Sequence, residues 1–163
     1  MWTTQLPDRV EASPVVVADG DAVAVGCYDG FLYVLAAGDG GIVWRYHLGD
    51  AVKCTAAADP WDSLVWCGSH GRRCAALDVR GRRAVLDMEL SSSVSASVAF
   101  DASRRHAYVC LLDGTVMALR SSRCDEITTG VSAGERDGQH VRVQGKRHGA
   151  SPAPTASIVP PVV

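Results

Sequence analysis

Residues 22–47 read AVAVGCYDGFLYVLAAGDGGIVWRYH, short apolar runs punctuated by Asp-Gly steps. The runs near Ala22–Tyr28, Phe31–Ala36 and Ile42–His47 each have strand length, and Asp29-Gly30 and Asp39-Gly40-Gly41 part them. Asp-Gly between apolar runs signals a hairpin, because a two-residue type I′ turn needs positive φ at both central positions, which Asp and Gly tolerate. An earlier run near Ala12–Ala18, closed by Asp19-Gly20, completes a unit of four short strands.

The same pattern returns 42 residues on, without a gap. Val10, Val52 and Val94 coincide, as do Ser13, Thr55 and Ser97, then Val25, Cys67 and Val109. Gly26, Gly68 and Cys110 coincide, and so do Leu35, Leu77 and Leu119. Asp29-Gly30 falls on Gly71-Arg72 and then on Asp113-Gly114, while Trp44 falls back on Trp2. A register held through turns and apolar runs alike marks a repeated supersecondary unit. The second unit predicts strands near Cys54–Asp59, Leu64–Ser69, Cys74–Asp78 and Ala84–Glu89. The third predicts Ala96–Asp101, Ala107–Leu111 and Thr115–Leu119. Near Thr128, where a fourth strand would fall, there is neither a Trp nor an apolar run. The pattern is expected to end there and to leave Thr115–Leu119 as an unpaired edge.

Four strands joined by tight turns and recurring every ~40–50 residues describe a β-propeller blade. Stacked blades bury both faces, so short continuous apolar runs replace strict alternation. The chain begins inside a unit, with Trp2 where a fourth strand would stand. About three blades and an incomplete ring are therefore expected, because closed propellers take roughly four to eight. Such a chain is expected to be a fragment, an alternative product or one member of an assembly.

Composition agrees with a soluble globular chain: 163 residues, 47% hydrophobic, 21% charged, net charge −2. That charge argues against a dedicated nucleic-acid or membrane-surface protein, and no apolar stretch approaches the ~20 residues that span a bilayer. Met1-Trp2-Thr3-Thr4 has neither a basic nor an apolar leader region, which predicts a cytoplasmic chain with reduced thiols. Residues 1–120 carry 11 basic and 14 acidic side chains, and residues 121–163 carry 5 and 4. The latter stretch is rich in Ser, Thr, Gly and Arg, and holds Pro152, Pro154, Pro160 and Pro161. Its composition predicts a disordered tail over 121–163 beside a partial propeller over 1–120.

The run Leu35-Ala36-Ala37-Gly38-Asp39-Gly40-Gly41-Ile42-Val43-Trp44 resembles the pyrroloquinoline-quinone (PQQ) type propeller repeat, roughly Leu-Asp-Ala-x-Thr-Gly-x-x-x-Trp. In that repeat the Trp docks between adjacent blades. The resemblance implies blade-docking roles for Trp2, Trp44, Gly40 and, where Leu replaces Trp, Leu86; Trp61 and Trp66 fall outside that register. Asp29, Gly30, Asp113 and Gly114 are the expected hairpin-turn residues. The Asp-Gly-x-x-Tyr-x-Leu run at Asp29 to Leu35 belongs to the same pattern, from which the second unit departs with Gly81-Arg82 for Thr-Gly and Ala75 for Tyr. The strings Arg9–Ser13, Gly26–Gly30, Gly49–Lys53 and Gly68–His70 further resemble the C-terminal propeller of β-alanine-activating enzymes. These are acyl-CoA-synthetase relatives also called aminoadipate-semialdehyde dehydrogenases. The resemblance covers about residues 1–120 and implies a non-catalytic interaction or regulatory module. Its expected partners are the remaining blades, the adenylation and carrier domains of a parent protein, or copies of itself. Neither a phosphate-binding loop nor a carrier-type Asp-Ser-Leu string is present, so no catalytic residue is assigned.

Each candidate for chemistry has a plainer reading in the repeat. Cys67-x2-His70-x3-Cys74 offers three zinc ligands, but Cys67 aligns with Val25 and Val109, Cys74 with Leu32 and Val116, and Cys54 with Ala12 and Ala96. A buried Cys there acts as a small apolar residue, and no metal is expected. Ser93 and Ser97, with Asp101 and His106, lack a Gly-x-Ser-x-Gly elbow. The pairs Arg72-Arg73, Arg82-Arg83 and Arg104-Arg105 divide between opposite rims, as solvated charge. A PQQ-dependent oxidoreductase fragment is the alternative function, but Asp29, Asp59, Asp101 and Asp113 all have turn or strand-end roles, so no cofactor is expected.

Overall fold

A computed structural model of the chain describes residues 1–122 and 126–131. The described residues form three four-stranded antiparallel sheets, each laid down in chain order. The first blade comprises β1 (Val15–Val17), β2 (Ala22–Gly26), β3 (Phe31–Ala36) and β4 (Ile42–His47). The second comprises β5 (Ala57–Ala58), β6 (Val65–Gly68), β7 (Arg73–Asp78) and β8 (Arg83–Glu89). The third comprises β9 (Ala99–Asp101), β10 (His106–Cys110), β11 (Val116–Ser122) and β12 (Glu126–Val131). The three described blades stack into an all-β arc and do not close a ring among themselves. Among the described residues, no helix is long and apolar enough to cross a membrane.

Both faces of a middle blade are buried because successive side chains of a strand alternate faces. Ala22, Ala24, Leu32 and Val34 of the first blade meet Val65, Cys67, Ala75 and Leu77 of the second. Trp66, Cys74 and Ala76, on the other face of the second blade, meet Ala107, Val109 and Leu119 of the third. Leu6 belongs to a third buried cluster, with Val25, Cys27, Tyr33 and Leu35 of the first blade. At roughly 25 cal/mol per Å² of apolar surface removed from water, these interfaces dominate the stability of the arc.

The repeat extends to single bonds. The N–H groups of Tyr28, His70 and Leu112 donate to the carbonyls of Arg9, Ala51 and Ser93 at 2.9, 3.0 and 2.9 Å. One residue further along each linker, Val52 N–H donates to Cys27 O and Val94 N–H to Ser69 O, both at 3.0 Å. Each linker thus bonds the preceding blade through one residue and its own blade through the residue before. Both valines sit over a glycine. A Cβ on Gly26 would lie 2.5 Å from Val52 Cγ1, and one on Gly68 would overlap Val94 Cβ and Cγ1.

Three expectations are corrected. The turns after β2 and β10 are not type I′: of the two residues of each Asp-Gly step, only Gly30 and Gly114 have positive φ, both +89°. Gly30 N–H donates to Cys27 O at 3.3 Å and Cys27 N–H to Phe31 O at 3.0 Å, the pattern of a three-residue loop with a left-handed Gly. Aspartate stays out of the left-handed region because its carboxylate satisfies a backbone N–H two residues on.

The innermost strands β1, β5 and β9 have only 3, 2 and 3 residues. Their expected starts at Ala12, Cys54 and Ala96 lie in linker backbone that precedes the sheet pairing.

The third unit also has its outer strand: β12 pairs with β11, from Met117↔Val131 to Ser122↔Glu126. The edge expected to be open at Thr115–Leu119 is therefore covered, and the sheet runs past residue 120. The register differs from its counterparts. Val34 pairs with Trp44 and Ala76 with Leu86, each beside a bulge, whereas Ala118 pairs with Gly130. An outer strand is held chiefly by its ladder and is mostly exposed, as β4 is, so a missing apolar run does not exclude one. The remainder of the expected tail, 123–125 and 132–163, lies outside the described residues.

Candidate functional site

Of the expected docking residues, Trp44 and Leu86 stand at joints between blades, and Trp2 and Gly40 meet on the outward side of the first blade. Trp2 is anchored on the turn between β3 and β4: its indole N–H donates to Ala37 O at 2.8 Å. Thr4 Oγ1 donates to Gly40 O at 2.6 Å. Gly40 has φ +74°, and a Cβ there would lie 2.6 Å from both Trp2 Cδ2 and Thr4 Oγ1. Only glycine therefore allows the segment to lie so close. Trp44 packs against the core between the first two blades, with Tyr46 beside it at 5.8 Å between ring centroids. No hydrogen bond of the Trp44 indole corresponds to that of Trp2 among the described residues. Arg82, at φ +52°, stands where Gly40 stands one unit earlier. Leu86 packs at the edge of the core between the second and third blades.

At the turns, Asp29 accepts the Phe31 N–H at 3.2 Å and the Tyr33 hydroxyl at 2.6 Å. Asp113 accepts the Thr115 N–H at 2.9 Å and the Ser91 hydroxyl at 3.0 Å. The Thr115 N–H, more than any other group, holds the Asp113 carboxyl below the usual range. Asp101 is drawn down to about 2 by the Ser103 hydroxyl and the Arg104 guanidinium. Those two partners take its carboxylate, while His106 Nδ1 is buried without a hydrogen bond in the next strand. Ser93 Oγ donates to His70 O at 2.7 Å. These groups do not form a nucleophile–base–carboxylate chain.

Cys27, Cys54, Cys67 and Cys74 are buried and Cys110 is exposed. Cys54 and Cys67 face each other with 3.7 Å between sulfurs. Burial pushes the Cys74 thiol up to about 12, and the hydrogen bond with Cys54, followed by burial, raises Cys67. Thiols held protonated in this way are poor metal ligands and poor nucleophiles. Among the described residues, no three His, Cys, Asp or Glu side chains converge as metal ligands would.

Five of the six paired arginines are matched with carboxylates. Arg72 binds Glu89 at 3.0 Å, Arg83 binds Asp78 at 3.1 Å, Arg104 binds Asp101 at 2.8 Å and Arg105 binds Asp62 at 3.0 Å. Arg73 binds Asp87, which also accepts the Tyr46 hydroxyl from the first blade. Burial first, and that carboxylate second, push the Tyr46 phenol up to about 12. Reading the sequence missed this clamp, since neither Tyr46 nor Asp87 stands out in the repeat.

It also placed Trp61 and Trp66 outside the docking set, and both join the second blade to the third. The Trp66 side chain is fully buried between them and donates its indole N–H to Asp59 at 3.1 Å. Trp61 donates to Ala102 O at 3.2 Å and stacks edge-on against Phe100 at 5.6 Å. The register aligned Trp66 with Ala24 and Tyr108, and Ala24 is itself a buried interface residue.

No family model matches the chain, and no curated protein matches it. Solved structures do. A chain of the Mitotic Checkpoint Complex is 18% identical over 74% of this chain and 38% of its own, with a TM-score of 0.64. BamB from Moraxella catarrhalis is 23% identical over 72% of this chain and 38% of its own, with a TM-score of 0.59. The Cps50 (Swd1) beta-propeller domain of Myceliophteria thermophila is 11% identical over 79% of this chain and 41% of its own, at 0.64. The chain thus spans about two-fifths of the length of these structures. At such identities the likeness concerns the fold, and the fold is that of β-propeller blades.

Proposed function

We propose that the chain is a non-catalytic β-propeller segment that acts as an interaction or regulatory module of an amino-acid-activating, acyl-CoA-synthetase-like enzyme. One observation carries the non-catalytic part: the polar groups that suggested chemistry are engaged in building blades. Asp101 closes a turn, Ser93 ties its linker to the second blade, Asp87 clamps two blades and the interior thiols pack in the core. The parent enzyme rests on the strings Arg9–Ser13, Gly26–Gly30, Gly49–Lys53 and Gly68–His70. The PQQ-type assignment rests on Leu35–Trp44. On this reading the chain binds no cofactor, metal or nucleic acid, works in the cytoplasm, and meets further blades or adenylation and carrier domains.

The test is to isolate the endogenous polypeptide that carries these residues, sequence it by mass spectrometry and assay amino-acid-dependent ATP–pyrophosphate exchange. A contiguous adenylation domain with exchange activity is expected. A secreted polypeptide with further blades and quinone-dependent dehydrogenase activity would replace this reading by the oxidoreductase alternative.

A further inference from the structure

Cys54 and Cys67 occur together in the second unit alone. The register sets Ala12 and Ala96 at the first position, and Val25 and Val109 at the second. An apolar pair therefore suffices there in the other two units. The two sulfurs lie 3.7 Å apart, in the core between the first two blades. Cys74, the third thiol of the second unit, packs on the other side of the blade, with Trp66, Ala76 and Val109.

The two thiols are not equivalent. Cys67 lies within β6, which is held by β5 on one side and β7 on the other. Cys54 belongs to the linker ahead of β5. No backbone–backbone hydrogen bond among the described residues involves 53–56, so this stretch moves while β6 stays with its sheet. Cys54 Sγ accepts the Gly68 N–H at 3.3 Å and stands 3.2 Å from Gly68 O, to which the protonated thiol donates. The contact with Cys67, more than any other group, draws Cys54 below the usual thiol range against the opposing effect of burial. The same contact raises Cys67. As a thiolate, the nucleophilic form, Cys54 would keep two donors, the Gly68 N–H and the Cys67 S–H.

We propose that Cys54 and Cys67 form a peroxide-responsive dithiol site, which hydrogen peroxide converts to a disulfide between the linker and β6. The Cys54 thiolate attacks one peroxide oxygen; the O–O bond breaks, and the other oxygen leaves as hydroxide and takes up the Cys54 proton as water. The product is a sulfenic acid on Cys54. Held against it, Cys67 Sγ attacks Cys54 Sγ: the S–S bond forms, the S–O bond breaks, and the hydroxyl leaves as water with the Cys67 proton. Two thiols lose two electrons in all, and one peroxide becomes two waters. The sulfurs must close from 3.7 Å to about 2.05 Å, which the unbonded linker backbone permits. Cys54 is 2% exposed and Cys67 0%, so the oxidant enters through local opening of 53–56. The linker that seats Val52 on Gly26 is thereby fastened to the second blade.

The test uses the full chain, in which tryptic peptide 54–72 carries these two cysteines and no other. After hydrogen peroxide and then N-ethylmaleimide, the folded chain should yield this peptide unalkylated and lighter by two hydrogens. Dithiothreitol before the maleimide should restore both alkylation sites. Cys67→Val, the residue of the other units, should leave Cys54 as a sulfenic acid trapped by dimedone, and Cys54→Ala should leave Cys67 a free thiol. If Cys67→Val loses cooperative unfolding, Cys67→Ala is read in the same way. A peptide that keeps both thiols at a peroxide dose that oxidises the exposed Cys110 would overturn the inference, as would a bond that forms only in urea. Neither result bears on the parent enzyme, which the exchange assay reads separately.

Discussion

At the scale of the residue, the joints depend on what glycine lacks. A Cβ on Gly68 would overlap Val94, with Cγ2 at 3.0 Å and two other carbons closer. Gly68→Ala should therefore destabilise the chain by about 1–3 kcal/mol, as overpacking of a close contact does. Combined with Val94→Gly, which removes the Cβ as well as both Cγ atoms, it should cost clearly less than the sum of the two single changes. Urea unfolding of the four chains measures this, and strict additivity would refute the close approach. The reverse case is Arg72, at φ +58° where Gly30 and Gly114 stand in the other units. Arg72→Gly should raise the unfolding free energy by up to about 1 kcal/mol, because a side chain in the left-handed region is strained. Its ion pair with Glu89 is mostly exposed and offsets little of that gain. Both features were present in the alignment of units, which sets Gly26 on Gly68 and Val10 on Val52 and Val94. What the alignment does not contain is the distance between the two series, since facing residues on successive blades are far apart in the repeat.

At the scale of the element, the outer strand of one blade is tied to the next by Tyr46, Asp87 and Arg73. Tyr46→Phe should cost about 1.5–3 kcal/mol, the range for a hydrogen bond to a charged group, while Asp87 keeps its arginine. Calorimetry should register a lower midpoint, and an unmoved midpoint would show that the clamp adds nothing. The same group sets an alkaline limit. The folded phenol is raised from 10 to about 12, so its contribution is complete below pH 10 and is lost as pH climbs through 12. On the acid side Asp78, Asp101 and Asp113 are lowered, Asp101 to about 2. Their contribution is present above the ordinary carboxylate range near 4 and fades as pH falls toward 2. Unfolding followed by circular dichroism across pH should show a plateau between these limits, and Tyr46→Phe should flatten its alkaline shoulder. Among the elements, the strands with apolar runs were legible in the sequence, β2, β3, β6 and β7 above all. The outer strand β12 was not, because backbone pairing rather than apolar burial holds such a strand. The turns were placed but mistyped: Asp-Gly announces a hairpin, while loop length depends on whether the aspartate turns left-handed or accepts a backbone N–H.

At the scale of the whole molecule, the second of the three described blades is the one covered by a full described blade on each side. Local opening is governed by buried contacts, so amides of Val65–Gly68 and Cys74–Leu77 should be the slowest to exchange with deuterium. Amides of β1 and β9, in the flanking blades, should exchange sooner. Uniform protection across the three blades would instead show a single cooperative unit. The 42-residue register alone implied this stacked arrangement, but not the covering of the first blade by Leu6 and Trp2, a contact made by a segment outside any sheet. The linker joint also bears on how such a chain can lengthen. Each of the first two 42-residue stretches carries both halves of a joint, a valine for the blade before and a glycine for the valine to come. A gene duplication that copies residues 52–93 in tandem would insert a blade already matched on both sides, whatever the point of breakage within the linker. The same event at the far end, copying through Cys110, would propagate a joint that cannot close. Growth by tandem copying is thus open in the interior of this chain and barred at its third blade.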